Sequence, residues 1–333
     1  MISKHIHLKH CLGIILMFCM ISGLHAENKK LGQTGFQFLS VTNDARSSAL
    51  GNAATTLENG VNSLLFNPAG MARSDKTIEL TASQNQWIDN IQHNTYALAF
   101  RPGDGRMGVF GLTAQSVDYG EVQGTLPWQN DQGYVDTEIM YPSAFAAGIG
   151  YAVALSDKFS VGGSIKYSGQ QLGKSIVPDA DSLKVKKNLA NATSFDFGTQ
   201  FKTGFKSLAF GMTFQNFSEE INFERENFQL PLTFTIGITM DLLDLMPEKP
   251  KGQELWFFAD VTHPRSYPEQ VNLGIEYAFM KTLYLRGGYM MNSDERDFTV
   301  GVGLQKFGFS FNYAYTPFGV FDYVQRITLG FGF

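Results

Sequence analysis

Few side chains in this chain could carry chemistry. It has two cysteines, Cys11 and Cys19, and six histidines. Both thiols fall in the first 26 residues, with His5, His7, His10 and His25. That stretch has the order of a secretory signal: Lys4 and Lys9, then the apolar run LGIILMFCMISGL at 12–24, then the small residue Ala26. The run is shorter than the roughly 20 apolar residues a spanning helix needs, so removal after Ala26 is expected. Met17 and Phe18 are too bulky for a lipidation site at Cys19. Without 1–26 no thiol remains to form a disulfide, ligate a metal or attack a substrate. His93 and His263 are left, at predicted strand ends beside Asn94 and Pro264, a poor basis for a nucleophile–base pair. GGSIKYSG at 162–169 lacks the spacing of a nucleophile elbow, and the GVG and GFG triplets arise from strand alternation. No metal-ligand cluster stands out. The reading is therefore a non-enzyme without cofactor or metal. With 31 acidic against 26 basic residues and a net charge of −5, made more negative by loss of Lys4 and Lys9, it offers no basic surface for nucleic acid.

What the chain has in quantity is alternation. FGFSFNYAYT at 307–316 sets Phe307, Phe309, Phe311, Tyr313 and Tyr315 on one face, with Gly308, Ser310, Asn312 and Ala314 on the other. QVNLGIEYAF at 270–279, DFTVGVGLQ at 297–305, LTFTIGITM at 232–240 and the closing YVQRITLGFGF at 323–333 repeat the pattern. Candidate strands begin near 76, 93, 106, 141, 158, 193, 207, 231, 254, 270, 282, 297, 307 and 324, about fourteen in all. Many have room for the roughly 9–11 residues with which a tilted strand crosses a bilayer, where strands of soluble domains average about 5–6. A soluble sandwich would bury the greasy face in a core. The Gly-, Ser- and Thr-rich opposite face suits a wet or crowded lumen better. Connections support this choice: tight turns at 101–106, 155–158, 202–206, 280–282 and 305–307 alternate with long polar stretches at 119–138, 168–191 and 216–230. The inner connection 241–253 is longer than the pattern asks.

The fold expected is an all-β, transmembrane, antiparallel up-and-down barrel over 75–333. Segment 27–74 forms a short, partly helical hatch or plug, and the location is the outer membrane of a Gram-negative-type bacterium. Lipid would surround the aromatic phase. By parity Lys166, Asp196, Asp260, Glu276, Arg286 and Arg326 point into the lumen, as pairs that stabilise the barrel or as a polar path or ligand contact. Facing lipid near the midplane, a Lys or Arg would cost about 2–4 kcal/mol. Trp87, Trp128 and Trp256 are candidates for interfacial girdles, with Trp256 on an inward phase where it could fill the lumen or touch hydrophobic cargo. In the non-alternating segment, Asp44 is placed to cap a helix. Asn67, Pro68, Ala69 and Gly70 form a tight turn, either a positioning device or a gate.

DARSSALGNAATTLENGVNSLLFNPAGMA at 44–72 resembles the N-terminal signature shared by the PorV/PorQ family and FadL-type long-chain fatty-acid channels. The stretches 216–238 and 259–289 and the C-terminal YAYTPFGVFDYVQRITLGFGF are more similar to PorV/PorQ, so the resemblance spans nearly all of 27–333. It implies a fourteen-stranded outer-membrane barrel with an N-terminal hatch. It also implies a structural or substrate-shuttle role in type IX protein secretion, with secretion-system proteins and their cargo as partners. The FadL side implies instead a channel for hydrophobic small molecules, gated around Asn67–Gly70. Ile327, Leu329, Phe331 and the terminal Phe333 resemble the sorting signal read by the barrel-insertion machinery.

Overall fold

The computed structural model describes residues 33–179, 182–223, 226–293 and 297–333. The signal-like segment 1–26 lies outside them. Fourteen antiparallel strands close into one barrel. They are β1 (Ile78–Gln86), β2 (Gln92–Phe100), β3 (Val109–Asp118), β4 (Ser143–Ala154), β5 (Phe159–Asp179), β6 (Ser182–Lys202) and β7 (Ala209–Phe217). The second half continues with β8 (Thr233–Asp241), β9 (Gln253–Pro264), β10 (Gln270–Phe279), β11 (Leu283–Met291), β12 (Phe298–Lys306), β13 (Phe309–Pro317) and β14 (Tyr323–Gly332). Each pairs with its neighbours in sequence. β14 closes on β1 in an unbroken register from Glu79↔Gly332 to Gln86↔Gln325.

Alternation maps onto the wall as expected. Along β4, Phe145, Ile149 and Tyr151 are exposed on the outside, while Ala144, Ala146 and Ala152 are buried within. On β14, Tyr323, Ile327, Leu329 and Phe333 face out, and Val324, Arg326 and Thr328 face in. A continuous apolar belt of this kind, carried by Leu80, Tyr96, Phe110, Leu112, Phe195, Phe197, Val302 and Phe311 among others, is solvated by hydrocarbon. The chain is an outer-membrane barrel. Its short turns and C-terminus mark the periplasmic end, and its long loops the outer end.

Three connections depart from the sequence reading. Residues 168–191 are not a loop: β5 and β6 stay paired to Asp179↔Ser182, with a register shift between Gln171 and Lys174. The stretch reads as a connection because it is long and polar, but above the bilayer a hairpin needs backbone pairing only and tolerates polar side chains on both faces. The stretch 119–138 carries a second hairpin, Val122–Pro127 with Tyr134–Met140, and 216–230 a third, Ile221–Phe223 with Glu226–Phe228. The long inner connection holds a 3-10 turn, Leu242–Leu245, tied by Lys249 to Asp241 at 2.5 Å and Asp244 at 2.8 Å. Hydrogen bonding to Asp241 and Asp244 raises the Lys249 ammonium above its ordinary pKa, and the bond from Lys249 lowers the Asp244 carboxyl.

Residues 33–74 run through the lumen from the outer end to the periplasmic end. At the top, Gly35 N–H donates to Gln229 O at 3.1 Å, and Thr34 and Ser266 share a short hydroxyl hydrogen bond. Phe36 and Phe38 pack there against Val117, Ala144, Ala190 and Leu230. Helix α1 (Ala45–Ala49) follows, capped by the Asp44 carboxylate, which accepts from Ser47 N–H at 2.8 Å. Two 3-10 turns, Gly60–Leu65 and Pro68–Arg73, lead to the periplasmic rim, where Arg73 donates to Ser156 O at 3.4 Å.

The inward glycines now have a reason. A Cβ on Gly274 or Gly288 would strike the backbone of Leu50 and Gly51; one on Gly111 or Gly150 would strike Leu64; one on Gly162 would strike the Pro68–Ala69 peptide. The wall is bare where the threaded segment lies against it.

Two outcomes follow from this threading. A cysteine at the exposed Gln33 should react with a membrane-impermeant maleimide on intact cells, and one at the exposed Asp75 should not; the reverse pattern would invert the threading. Gly288→Val should cost at least the roughly 1–3 kcal/mol of an overpacked core. Gly287→Val, on the outward face with its nearest neighbours 3.9 and 4.0 Å away, should be close to neutral. Urea unfolding of the folded barrel in detergent, read by gel mobility, compares the two.

Candidate functional site

All six predicted lumen charges face inward, and the structure joins four of them into two pairs. Lys166 lies 2.9 Å from Asp196 Oδ2 and donates to Asn216 Oδ1 at 2.7 Å. Asp196 also accepts from Ser164 Oγ at 2.9 Å and from Asn216 N–H at 2.8 Å. Asn216 has a left-handed φ of 60° and sits where the β6–β7 register shifts, so the pair staples a bulge in the wall. The second pair lies lower. Glu276 takes Arg286 Nε at 2.5 Å, and the Arg46 guanidinium from helix α1 grips both its oxygens, at 2.7 and 2.9 Å. Arg286 donates onward to Asn312 Oδ1 at 2.8 Å. One buried carboxylate between two guanidiniums thus ties the threaded segment to β10 and β11.

Arg326 and Asp260 stand apart from these pairs. Arg326, 2 % exposed, donates to Thr42 O at 2.8 Å and Thr316 Oγ1 at 3.2 Å, with its guanidinium 5.3 Å from the Trp87 ring centroid. It holds the segment high in the lumen. Asp260 accepts the Thr55 N–H at 2.9 Å through Oδ2, while Oδ1 has no partner among the described residues.

The Asn67–Gly70 turn is deeply buried. Asn67 caps Pro68–Arg73 by accepting from Ala69 N–H at 3.1 Å, and its amide donates to Thr55 O at 2.7 Å and to Thr199 O on β6 at 3.0 Å. Every polar atom of that side chain is engaged, so the turn is a pin between segment and wall. Ile327, Leu329, Phe331 and Phe333 line the outer face of β14, and the Phe333 carbonyl accepts from Thr77 N–H at 2.6 Å.

The tryptophans correct the girdle expectation. Trp87 stacks edge-on with Phe318 at 5.0 Å over the lumen's outer mouth. Trp128 is exposed beyond the end of the Val122–Pro127 strand. Trp256 does point inward, packing against Leu50, Ala53, Ala54 and Leu57 of the segment, and its indole N–H is taken by Glu254 at 2.9 Å. It contacts the plug and is half-buried.

Above the plug is a lumenal cavity of about 640 Å³. Its mouth is apolar, with Phe38, Trp87, Ile88, Tyr119, Tyr267 and Phe318. Its wall and floor are polar, with Asn52, Thr55, Gln115, Lys166, Asn216, Thr235, Asp260 and Asn272. His93 is buried in the wall, with Gln115 Nε2 at 3.5 Å and the Trp87 ring edge-on at 6.3 Å. Below, Ala45, Ala49, Leu50 and Ala53 of the threaded segment are fully buried. A larger concavity of about 1800 Å³ lies on the lipid face, among Tyr96, Leu112, Ile149, Tyr167 and Phe195. It opens onto hydrocarbon and gathers almost no polar groups, so the lumenal cavity is the better site. Among the described residues no group of three or more His, Cys, Asp or Glu is arranged to hold a metal.

Sequence reasoning missed Arg46, Thr55, Asn216 and Asn272. Arg46 carried a cue, as the one cation in a run of small residues. The others carried none, because their roles depend on partners far along the chain.

No protein-family model and no curated protein matches this sequence. Solved structures do match over most of its length. The CymD monoaromatic hydrocarbon channel aligns with TM-score 0.55 and 12% identity over 88% of this chain and 98% of its own. The toluene transporter TodX of Pseudomonas putida gives 0.54 and 11%, over 85% and 95%. A FadL homologue of Pseudomonas aeruginosa gives 0.52 and 12%, over 88% and 99%. At these identities the likeness is one of fold: this chain has the architecture of the FadL-like barrels.

Proposed function

We propose that this chain is a channel for hydrophobic small molecules, with residues 33–74 as its internal hatch. The cavity carries the reading: a lumenal chamber with an aromatic mouth on the outer side, floored by the threaded segment. CymD is a monoaromatic hydrocarbon channel and TodX a toluene transporter, which supports the same class of cargo. In this reading the lumenal ion pairs stabilise the barrel, and Asn67–Gly70 pins the hatch. Ile327, Leu329, Phe331 and Phe333 address the chain to the insertion machinery. The PorV/PorQ resemblance, and with it the role in type IX secretion, rests on the sequence stretches alone.

Naphthalene titrated against the purified full-length barrel in detergent should bind saturably, with about one site. Gln115→Trp fills the cavity from β3 and should weaken binding at least tenfold, with an unchanged urea midpoint. Non-saturable binding that ignores Gln115→Trp, together with co-purifying secretion proteins, would replace this reading with the export role.

A further inference from the structure

The cavity's chemistry narrows the cargo further, on the reading just given. Among the described residues, two that line it carry a formal charge, Lys166 and Asp260. The Lys166 charge is met by Asp196 at 2.9 Å. Asp260, 1 % exposed, has no basic side chain in salt-bridge range among the described residues. Its Oδ2 holds the Thr55 N–H, and its Oδ1 holds nothing.

The residue directly across from it on β10 is Asn272, also buried, whose Oδ1 is likewise without a partner. Residues in cross-strand register stand roughly 5 Å apart on one face, so the two residues that carry orphaned acceptors are neighbours in the chamber wall. Buried acceptors in native structures are nearly always met, and an unmet one calls for a water, an ion or a ligand. Two of the neighbouring donors are already committed: the Asn52 amide points to Met290 Sδ at 3.4 Å, and the Thr235 hydroxyl donates to Thr262 Oγ1 at 3.3 Å. The Asp260 Oδ1 lies over Gly237 of β8, where any Cβ would run into it.

We infer that the chamber takes amphipathic amines, with the ammonium docked on Asp260 and Asn272 and the apolar part directed toward Trp87, Tyr119, Tyr267 and Phe318 at the mouth. A plain hydrocarbon leaves both oxygens and the charge unmet. A carboxylate head would lie against a like charge. A hydroxyl brings one donor and no charge. An ammonium brings three donors and the opposite charge, and so meets everything the site lacks.

The test uses three probes of one shape, 2-phenylethylamine, phenylacetate and ethylbenzene, titrated at pH 7.5 against the purified full-length barrel. The amine should bind at least tenfold tighter than phenylacetate. Asp260→Asn keeps an acceptor for the Thr55 N–H but removes the charge; it should weaken amine binding at least tenfold and leave ethylbenzene unchanged. Asn272→Ala, at a side chain that bonds nothing, should weaken the amine severalfold and supplies the answer if Asp260→Asn does not fold. Equal binding of amine and phenylacetate, or amine binding indifferent to both substitutions, overturns the inference. Ethylbenzene bound in a Gln115→Trp-sensitive way without amine preference leaves the channel reading standing and removes this one. Binding of none of the three removes both.

Discussion

Hydrocarbon offers a backbone nothing to hydrogen-bond with, and the rest of this structure follows from that. A sheet in the bilayer must satisfy every N–H and C=O within itself, which requires that its first and last strands meet. Here they do, from Glu79↔Gly332 to Gln86↔Gln325. Closure gives each strand an outside that must be apolar and an inside from which lipid is excluded. Charges in the wall can go only one way, and once inside they must be met. Glu276 between Arg46 and Arg286, and Asp196 beside Lys166, show how that demand is answered.

A closed barrel of this size also has an interior to fill. Residues 33–74 fill it with little hydrophobic patterning of their own. They do so by close backbone approach: small residues in the segment meet glycines on the wall, and polar side chains bridge the two. Asn67 to Thr199, Arg46 to Glu276 and Arg326 to Thr42 each join residues more than a hundred positions apart. The face that would be dry core in a soluble sandwich is a fitted socket for another part of the same chain.

This division explains what was legible in the sequence. Strand number, phase and orientation could be read because period-two alternation is local: Phe309, Phe311 and Tyr313 declare their face without reference to any partner. The inward placement of Lys166, Glu276 and Arg326 followed by parity. Their partners did not, since nothing near Glu276 points to Arg46, 230 positions away. The paired run above the membrane at 171–189 was missed because alternation fades once both faces meet water. The segment's direction of travel was hidden too, because it is decided by contacts such as Gly35 to Gln229 and Phe36 to Leu230 that leave no periodic trace. Asp260 was readable as inward but not as unmet, since an orphaned oxygen is a property of the whole neighbourhood.

The two ends of the threaded segment are held by different physics. Its lower half is fastened by buried charge and fully engaged amides, and breaking a buried ion pair by removing one partner typically costs about 3–5 kcal/mol. Its upper end is held by a backbone bond to Gln229, a hydroxyl contact to Ser266, the Arg326 guanidinium on Thr42 O and the burial of Phe36 and Phe38, worth about 1.5–3 kcal/mol per aromatic ring. The cavity lies between these two regions. In the proposed channel, a molecule entering from outside would meet the Phe36–Phe38 end first and the Glu276 anchor last. Displacing the upper end exposes two phenylalanines and breaks the Arg326–Thr42 bond, whereas displacing the lower half uncouples Arg46, Glu276 and Asn67 at once.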